Sequence, residues 1–231
     1  MRNVWVALAL AVLVGCREEK PAPKTSAESS QGPTAAPAAP VPPAPSDNRS
    51  VIACFGDSIT AGFGLDPGQS YPDLLQRDLD QGGYRYRVVN LGVSGDTTQD
   101  GVARLPLLLA ERPAIVLLEL GGNDGLRGLP VSVTRSNLEQ IIVAGQNVGA
   151  RIILAGMTLP PNYGPDYISK FEAVYKGLAA QYKSTLIPFL LAGVGGNAAL
   201  MQKDGLHPNA AGARRVEEIV RKALQPLLKQ P

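Results

Sequence analysis

The chain has 231 residues, is 45% hydrophobic and 18% charged, and carries a formal charge of +2 with a single histidine, His207. A charge this close to zero excludes the basic surplus of a nucleic-acid binder. One His and two Cys, Cys16 and Cys54, supply neither a four-ligand Cys/His zinc site nor a disulfide framework.

Met1-Arg2-Asn3 is a short basic start, and Val4 to Val14 is an unbroken apolar run of eleven residues. That run is too short to span a bilayer, which takes about 20 residues, but it suits the apolar region of a signal peptide. It ends in Leu13-Val14-Gly15-Cys16, which resembles the lipobox of bacterial lipoproteins. The resemblance implies cleavage after residue 15 and acylation of Cys16, tying the mature protein to a lipid bilayer. Arg17, rather than Asp, follows the Cys. By the pattern of such signals this favours the outer membrane of a bacterial cell envelope.

Arg17 to Ser50 holds eight Pro and seven Ala in 34 residues, with almost no bulky apolar side chain. Such a segment cannot bury a core, so residues 16–50 are expected to be a disordered tether. Its reach lies between about 30 Å as coil and about 100 Å as polyproline II. Its four basic and four acidic residues cancel, which leaves a passive spacer as the simplest role.

Residues 51–231 suit one domain. Short apolar runs predict buried strands over Val51–Phe55, Arg87–Leu91, Ala114–Leu120, Arg151–Ala155 and Thr185–Ile187. Longer periodic stretches predict helices over Ser70–Asp80, Thr97–Ala110, Ser132–Val148, Asp166–Tyr182 and Asn209–Leu228. Ser70, Ser132 and Asn209 are candidate N-caps, and Gly82-Gly83 and Gly149 are candidate stops. Five alternating strand–helix pairs imply an α/β domain whose parallel sheet is covered on both faces. Sites in such sheets form beyond the carboxyl ends of the strands.

Four loops at that end carry chemistry. The first strand runs into Gly56-Asp57-Ser58-Ile59-Thr60, which can present a hydroxyl. It is neither a G-x-S-x-G elbow, because Thr60 stands where Gly belongs, nor a P-loop. The second runs into Val93-Ser94-Gly95-Asp96, where Gly95 can offer an unobstructed N–H. The third runs into Gly121-Gly122-Asn123-Asp124, where Asn123 supplies an amide donor. Asp204-Gly205-Leu206-His207 precedes the last helix, and an acid three residues before a His can fold back onto its Nδ1–H. Each alone is ordinary loop chemistry. Together they form a nucleophile, extra donors and an oriented base, the parts needed for acyl transfer. Asp57 and Asp124 are assigned no chemistry beyond turn hydrogen bonding. Cys54, inside the first strand, reads as a buried inert thiol.

In this order, Ser58, Gly95, Asn123 and Asp204/His207 resemble the SGNH (GDSL) hydrolases, over the whole domain from Val51. Ser94-Gly95-Asp96-Thr97, Val102-Ala103-Arg104-Leu105-Pro106, Glu119 to Gly128 and Leu159-Pro160-Pro161-Asn162-Tyr163-Gly164 are similar to the bacterial acyl-CoA thioesterase I/protease I/lysophospholipase and arylesterase branch. The resemblance implies a three-layer α/β/α domain with a five-stranded parallel sheet in flavodoxin-like strand order. It implies Ser58 as nucleophile, His207 as base and Asp204 as its orienting acid. The oxyanion hole would comprise the Ser58 and Gly95 N–H groups and the Asn123 side chain. The loop around Met157 to Tyr163, with Leu159, Pro160, Asn162 and Tyr163, would cover the acyl chain. No metal or organic cofactor is implied. The expected substrates are small acyl esters or thioesters, lysophospholipids among them, and the expected state is a monomer. The rivals are a carbohydrate or peptidoglycan O-deacetylase and a non-catalytic envelope-binding lipoprotein. Familiar members of the branch are soluble periplasmic proteins, so the lipobox and long tether depart from its pattern.

Overall fold

A computed structural model of the protein describes residues 47–229. The expected signal peptide, Cys16 and most of the tether lie outside the described residues. Five strands, β1 (Ser50–Gly56), β2 (Tyr86–Gly92), β3 (Ile115–Glu119), β4 (Arg151–Ala155) and β5 (Thr185–Ile187), form one parallel sheet in the order β2-β1-β3-β4-β5. β1 starts at Ser50, one residue before the expected boundary, because Ser50 pairs with Tyr86.

The central strands read as continuous apolar runs because helices bury both their faces. Ile52 to Phe55 and Ile115 to Leu118 are all buried. The helices are α1 (Ser58–Ala61), α2 (Tyr71–Gln81), α3 (Thr98–Ala103), α4 (Leu105–Ala110), α5 (Gly122–Leu126), α6 (Val131–Asn147), α7 (Pro165–Gln181) and α8 (Ala210–Leu224). Ser70 caps α2 and Asn209 caps α8 through side-chain oxygens, as expected. Ser132 does not cap α6; Pro130 precedes its first residue and makes no side-chain cap.

The single helix expected over Thr97–Ala110 is two. In a continuous helix the Pro106 ring would meet the carbonyl of Val102, and Pro106 has no N–H to give it. The chain therefore stops at Arg104 (φ −93°, ψ 5°) and restarts with Pro106 in the first turn of α4. The last helix also ends early, at Leu224, followed by a 3₁₀ turn over Gln225–Leu227.

Strand order decides where a site can form. β1 is followed by β2 on one side, and β3 lies on the other side of β1. The connections after β1 and β3 therefore diverge and leave a crevice at their carboxyl ends. Gly56, at the end of β1, sits opposite Glu119 at the end of β3. A Cβ on Gly56 would lie 2.1 Å from Thr60 Oγ1 and 2.5 Å from Glu119 Oε2, so only glycine lets the strand ends close over that buried carboxyl.

Candidate active site

The crevice holds the loops singled out by the sequence. After Gly56, Asp57 caps α1 by accepting from the Ile59 N–H (3.0 Å). Ser58 is the first residue of that turn, so its own N–H has no helical acceptor. Among the described residues neither the Ser58 nor the Gly95 N–H makes an internal hydrogen bond. Gly95 adopts φ +89°, a left-handed conformation that favours glycine.

Ser58 Oγ lies 2.8 Å from His207 Nε2, across 149 residues of sequence. His207 Nδ1 lies 2.7 Å from Asp204 Oδ2. Asp204 Oδ1 also accepts from the Leu206 and His207 N–H groups, at 2.9 and 3.0 Å. With a carboxylate as its partner, Nδ1 carries the proton, and the Nε2 lone pair faces the serine hydroxyl. The His207 side-chain hydrogen bond, followed by the backbone one, holds Asp204 down to about 2. The loop is fixed by a Met201–Pro208 bridge and by Gln202, whose amide donates to the Phe63 and Pro208 carbonyls (2.7 and 3.0 Å). The Phe63 ring lies 4.6 Å from the imidazole.

Asn123, in the one-turn helix after β3, donates from Nδ2 to Asp57 Oδ2 (3.1 Å) and to the Asp96 carbonyl (2.9 Å). Both amide hydrogens are thus held, and a ligand oxygen must compete for one of them. Gly95 does not line the cavity described below. Its neighbour Asp96 accepts from Asn123 through its carbonyl, and Arg127 donates to the Gly95 carbonyl (2.9 Å).

Behind Ser58 lies a buried acid pair, Asp57 and Glu119, that carries no motif of its own in the sequence. Asp57 is 3% exposed and Glu119 fully buried. Glu119 Oε2 accepts from Thr60 Oγ1 (2.7 Å) and from the Asp57 N–H (3.1 Å). Its Oε1 has no partner among the described residues. Burial pushes Asp57 up to about 6, against the lowering effect of the Ile59 N–H. Burial, reinforced by the neighbouring Asp57 charge, raises Glu119 well above the carboxylate range and disfavours its charged form. Asp124 is structural: it accepts from the Thr98 N–H (2.8 Å) and from the Thr98 and Thr134 hydroxyls, tying α5 to α3 and α6. Cys54 is buried, and burial pushes its thiol up to about 12.

A cavity of about 480 Å³ opens beside Ser58, Asn123 and His207, within the size range of small-molecule sites. Leu159 and Pro160 line it. Asn162 and Tyr163 stand outside its wall; the Tyr163 hydroxyl donates to the Leu126 carbonyl (2.7 Å), and Leu126 is in the wall. The opposite wall, with Phe189, Leu191, Met201 and Leu206, was not singled out in the sequence. It comes from loops after β5, where scattered apolar residues form no motif.

Comparison with known proteins places this geometry among relatives. Residues 54–215 match the GDSL-like lipase/acylhydrolase family. The chain is 52% identical over 178 residues to the esterase TesA of Pseudomonas aeruginosa, covering 77% of this chain and 89% of that one. It is 40% identical over 178 residues to the thioesterase 1/protease 1/lysophospholipase L1 of Escherichia coli K12, covering 77% and 84%. A crystal structure of TesA superposes with a TM-score of 0.75 at 50% identity, covering 78% of this chain and all of that one.

Proposed function

The chain belongs to the GDSL-like lipase/acylhydrolase family and is an SGNH-type esterase for acyl ester or thioester substrates, and from that premise we propose that it works through an acyl-enzyme on Ser58. Ser58 Oγ attacks the substrate carbonyl carbon while its proton passes to His207 Nε2. The carbonyl electron pair moves onto oxygen, where the Ser58 and Gly95 N–H groups and the Asn123 amide donate to it. The intermediate collapses, the C=O re-forms, and the leaving alkoxide or thiolate takes the proton from His207. Water then repeats the sequence on the acyl-enzyme and frees the acid and Ser58. Asp204 keeps the imidazole in the right tautomer and stabilises its charged form.

The observation that carries this reading is the continuous hydrogen-bonded line from Asp204 through His207 to Ser58, at 2.7 and 2.8 Å. The apolar cavity beside it suits small to medium linear acyl chains, with Leu159 and Pro160 against the chain. Ser58→Ala and His207→Ala are each expected to abolish p-nitrophenyl ester hydrolysis. Near-wild-type turnover by folded Ser58→Ala would sink the mechanism. Rates on C4–C12 esters are expected to exceed those on acetylated xylan. The reverse preference would move the assignment to glycan O-deacetylation.

The second part of the reading concerns location. Leu13-Val14-Gly15-Cys16 after an eleven-residue apolar run supports acylation of Cys16, which would place the enzyme on a bilayer of the cell envelope with residues 16–50 as its tether. Cys16→Ser should move the protein from the membrane fraction to the soluble one. Retention on the membrane would overturn the anchor.

A further inference from the structure

Arg104 stands at the break between α3 and α4, with its side chain only 16% exposed. It does not line the cavity beside Ser58. All three guanidinium nitrogens are nevertheless engaged. Nε donates to Asp96 Oδ2 (2.6 Å), Nη1 to the Leu91 carbonyl (2.9 Å) and Nη2 to the Gly56 carbonyl (3.2 Å). The group also lies 4.5 Å from the centre of the Phe55 ring, a cation–π contact.

The three acceptors belong to separate segments. Gly56 ends β1 two residues before Ser58, Leu91 is the penultimate residue of β2, and Asp96 follows Gly95 directly. The Gly56 carbonyl also accepts from the Val93 N–H (3.1 Å), so it is a junction between the two loops. The Asp96 carbonyl receives the Asn123 amide. One side chain thus ties the segments that carry the Ser58 N–H, the Gly95 N–H and the acceptor that aims Asn123.

We propose that Arg104 is a positioning residue that sets the spacing of the oxyanion donors by clamping Gly56, Leu91 and Asp96 together. The proposal rests on the oxyanion role given above to Ser58, Gly95 and Asn123. Its physical basis is the shape of guanidinium, a planar fork that donates in several fixed directions at once. A lysine keeps the charge and one bond to Asp96 but has a single nitrogen, so it cannot span two carbonyls and a carboxylate. The Pro106 break is what lets Arg104 leave the helical path and reach all three.

The test compares p-nitrophenyl esters with their thionoester counterparts, C=S for C=O, in purified wild type and Arg104→Lys. Sulfur accepts hydrogen bonds weakly, so the thionoester draws little on the oxyanion donors. Arg104→Lys is expected to lower kcat on the ester about 10²-fold, the scale of a small displacement of positioned groups. KM should change little, and the thionoester rate should fall much less, so the ester-to-thionoester ratio shrinks. An unchanged ester kcat, or equal losses on both substrates, overturns the proposal. If Arg104→Lys does not fold, Asp96→Asn carries the test, with the same ester-selective loss expected and an equal loss on both substrates overturning it. Failure of wild-type Ser58 to label with a fluorophosphonate would instead defeat the serine-esterase reading itself. Labelled wild type beside an unaffected Arg104→Lys defeats only the clamp.

Discussion

Two aspartates flank the Ser58–His207 pair, and their surroundings drive them in opposite directions. Asp204 sits on the exposed loop before α8, its side chain 37% accessible, and accepts from the imidazole and from two backbone N–H groups. Those donors favour its charge and hold it down to about 2. Asp57 sits at the buried end of β1, with fewer donors and a buried acid beside it, and burial raises it to about 6. The same carboxyl group thus stands on one side as a committed anion hydrogen-bonded to the imidazole. On the other side it is a carboxyl whose charge burial disfavours, held by a capped turn and the Asn123 amide. Environment, not residue type, assigns the roles.

The largest expected effect breaks the exposed side. Asp204→Ala should lower kcat about 10³–10⁴-fold, the scale for losing the acid of such a triad. A loss below about tenfold in steady-state ester hydrolysis would mean that the Asp204–His207 contact does not orient the base. Next comes the amide held by the buried side. Asn123→Ala should cost about 10²–10³ in rate, the usual size for one oxyanion donor. A loss under about tenfold would make Asn123 structural.

Stability separates the two aspartates by sign. For Asp204 the folded value lies below the ordinary 3.8, so its contribution is present above pH 3.8 and fades as pH falls through about 2. For Asp57 the folded value lies above 3.8. Its contribution is present below pH 3.8 and is lost as pH rises through about 6, where the buried group must ionise. Asp57→Asn loses one acceptor at every pH, so the sign shows in the difference: relative to wild type its melting temperature should be about 3 °C more favourable at pH 8 than at pH 4. Equal shifts at both pH values would contradict the burial argument.

The smallest effect is expected at Glu119. Burial disfavours its charge, and Glu119→Gln keeps the shape while removing the ionisable group. Activity should stay within about threefold and the melting temperature within about 3 °C of wild type. A large loss in either would show that Glu119 works as an anion.

The strands were legible because helices on both faces demand uninterrupted apolar runs, and such runs stand out in a sequence: β4 and β5 lie where the pattern puts them. The one-turn helices α1 and α5 were not, since four or five residues carry no period. The break at Arg104 is masked because the apolar pattern continues through it, and Pro106 is the one local signal of it. Around the crevice, Ser58 and Asn123 were legible as polar residues just past the glycine-bearing ends of β1 and β3, and Asp204 and His207 as an acid–imidazole pair ahead of the last helix. The cavity wall from Phe189 to Leu206 was not, because apolar loop residues look alike whether they line a pocket or pack under a turn.

By itself the sequence determined the inventory: one histidine, one serine after a buried strand, an acid three residues before the imidazole, and five parallel strands to carry them. These follow from local spacing and from the apolar pattern, which the chain carries wherever it folds. Only the tertiary structure decided that Nε2 meets Oγ across 149 residues. It also decided that burial disfavours the charge of Asp57 while hydrogen bonds favour that of Asp204, and that Arg104 reaches three segments at once. Charge, burial and hydrogen-bond partners belong to the packed neighbourhood, and residues distant in sequence create it.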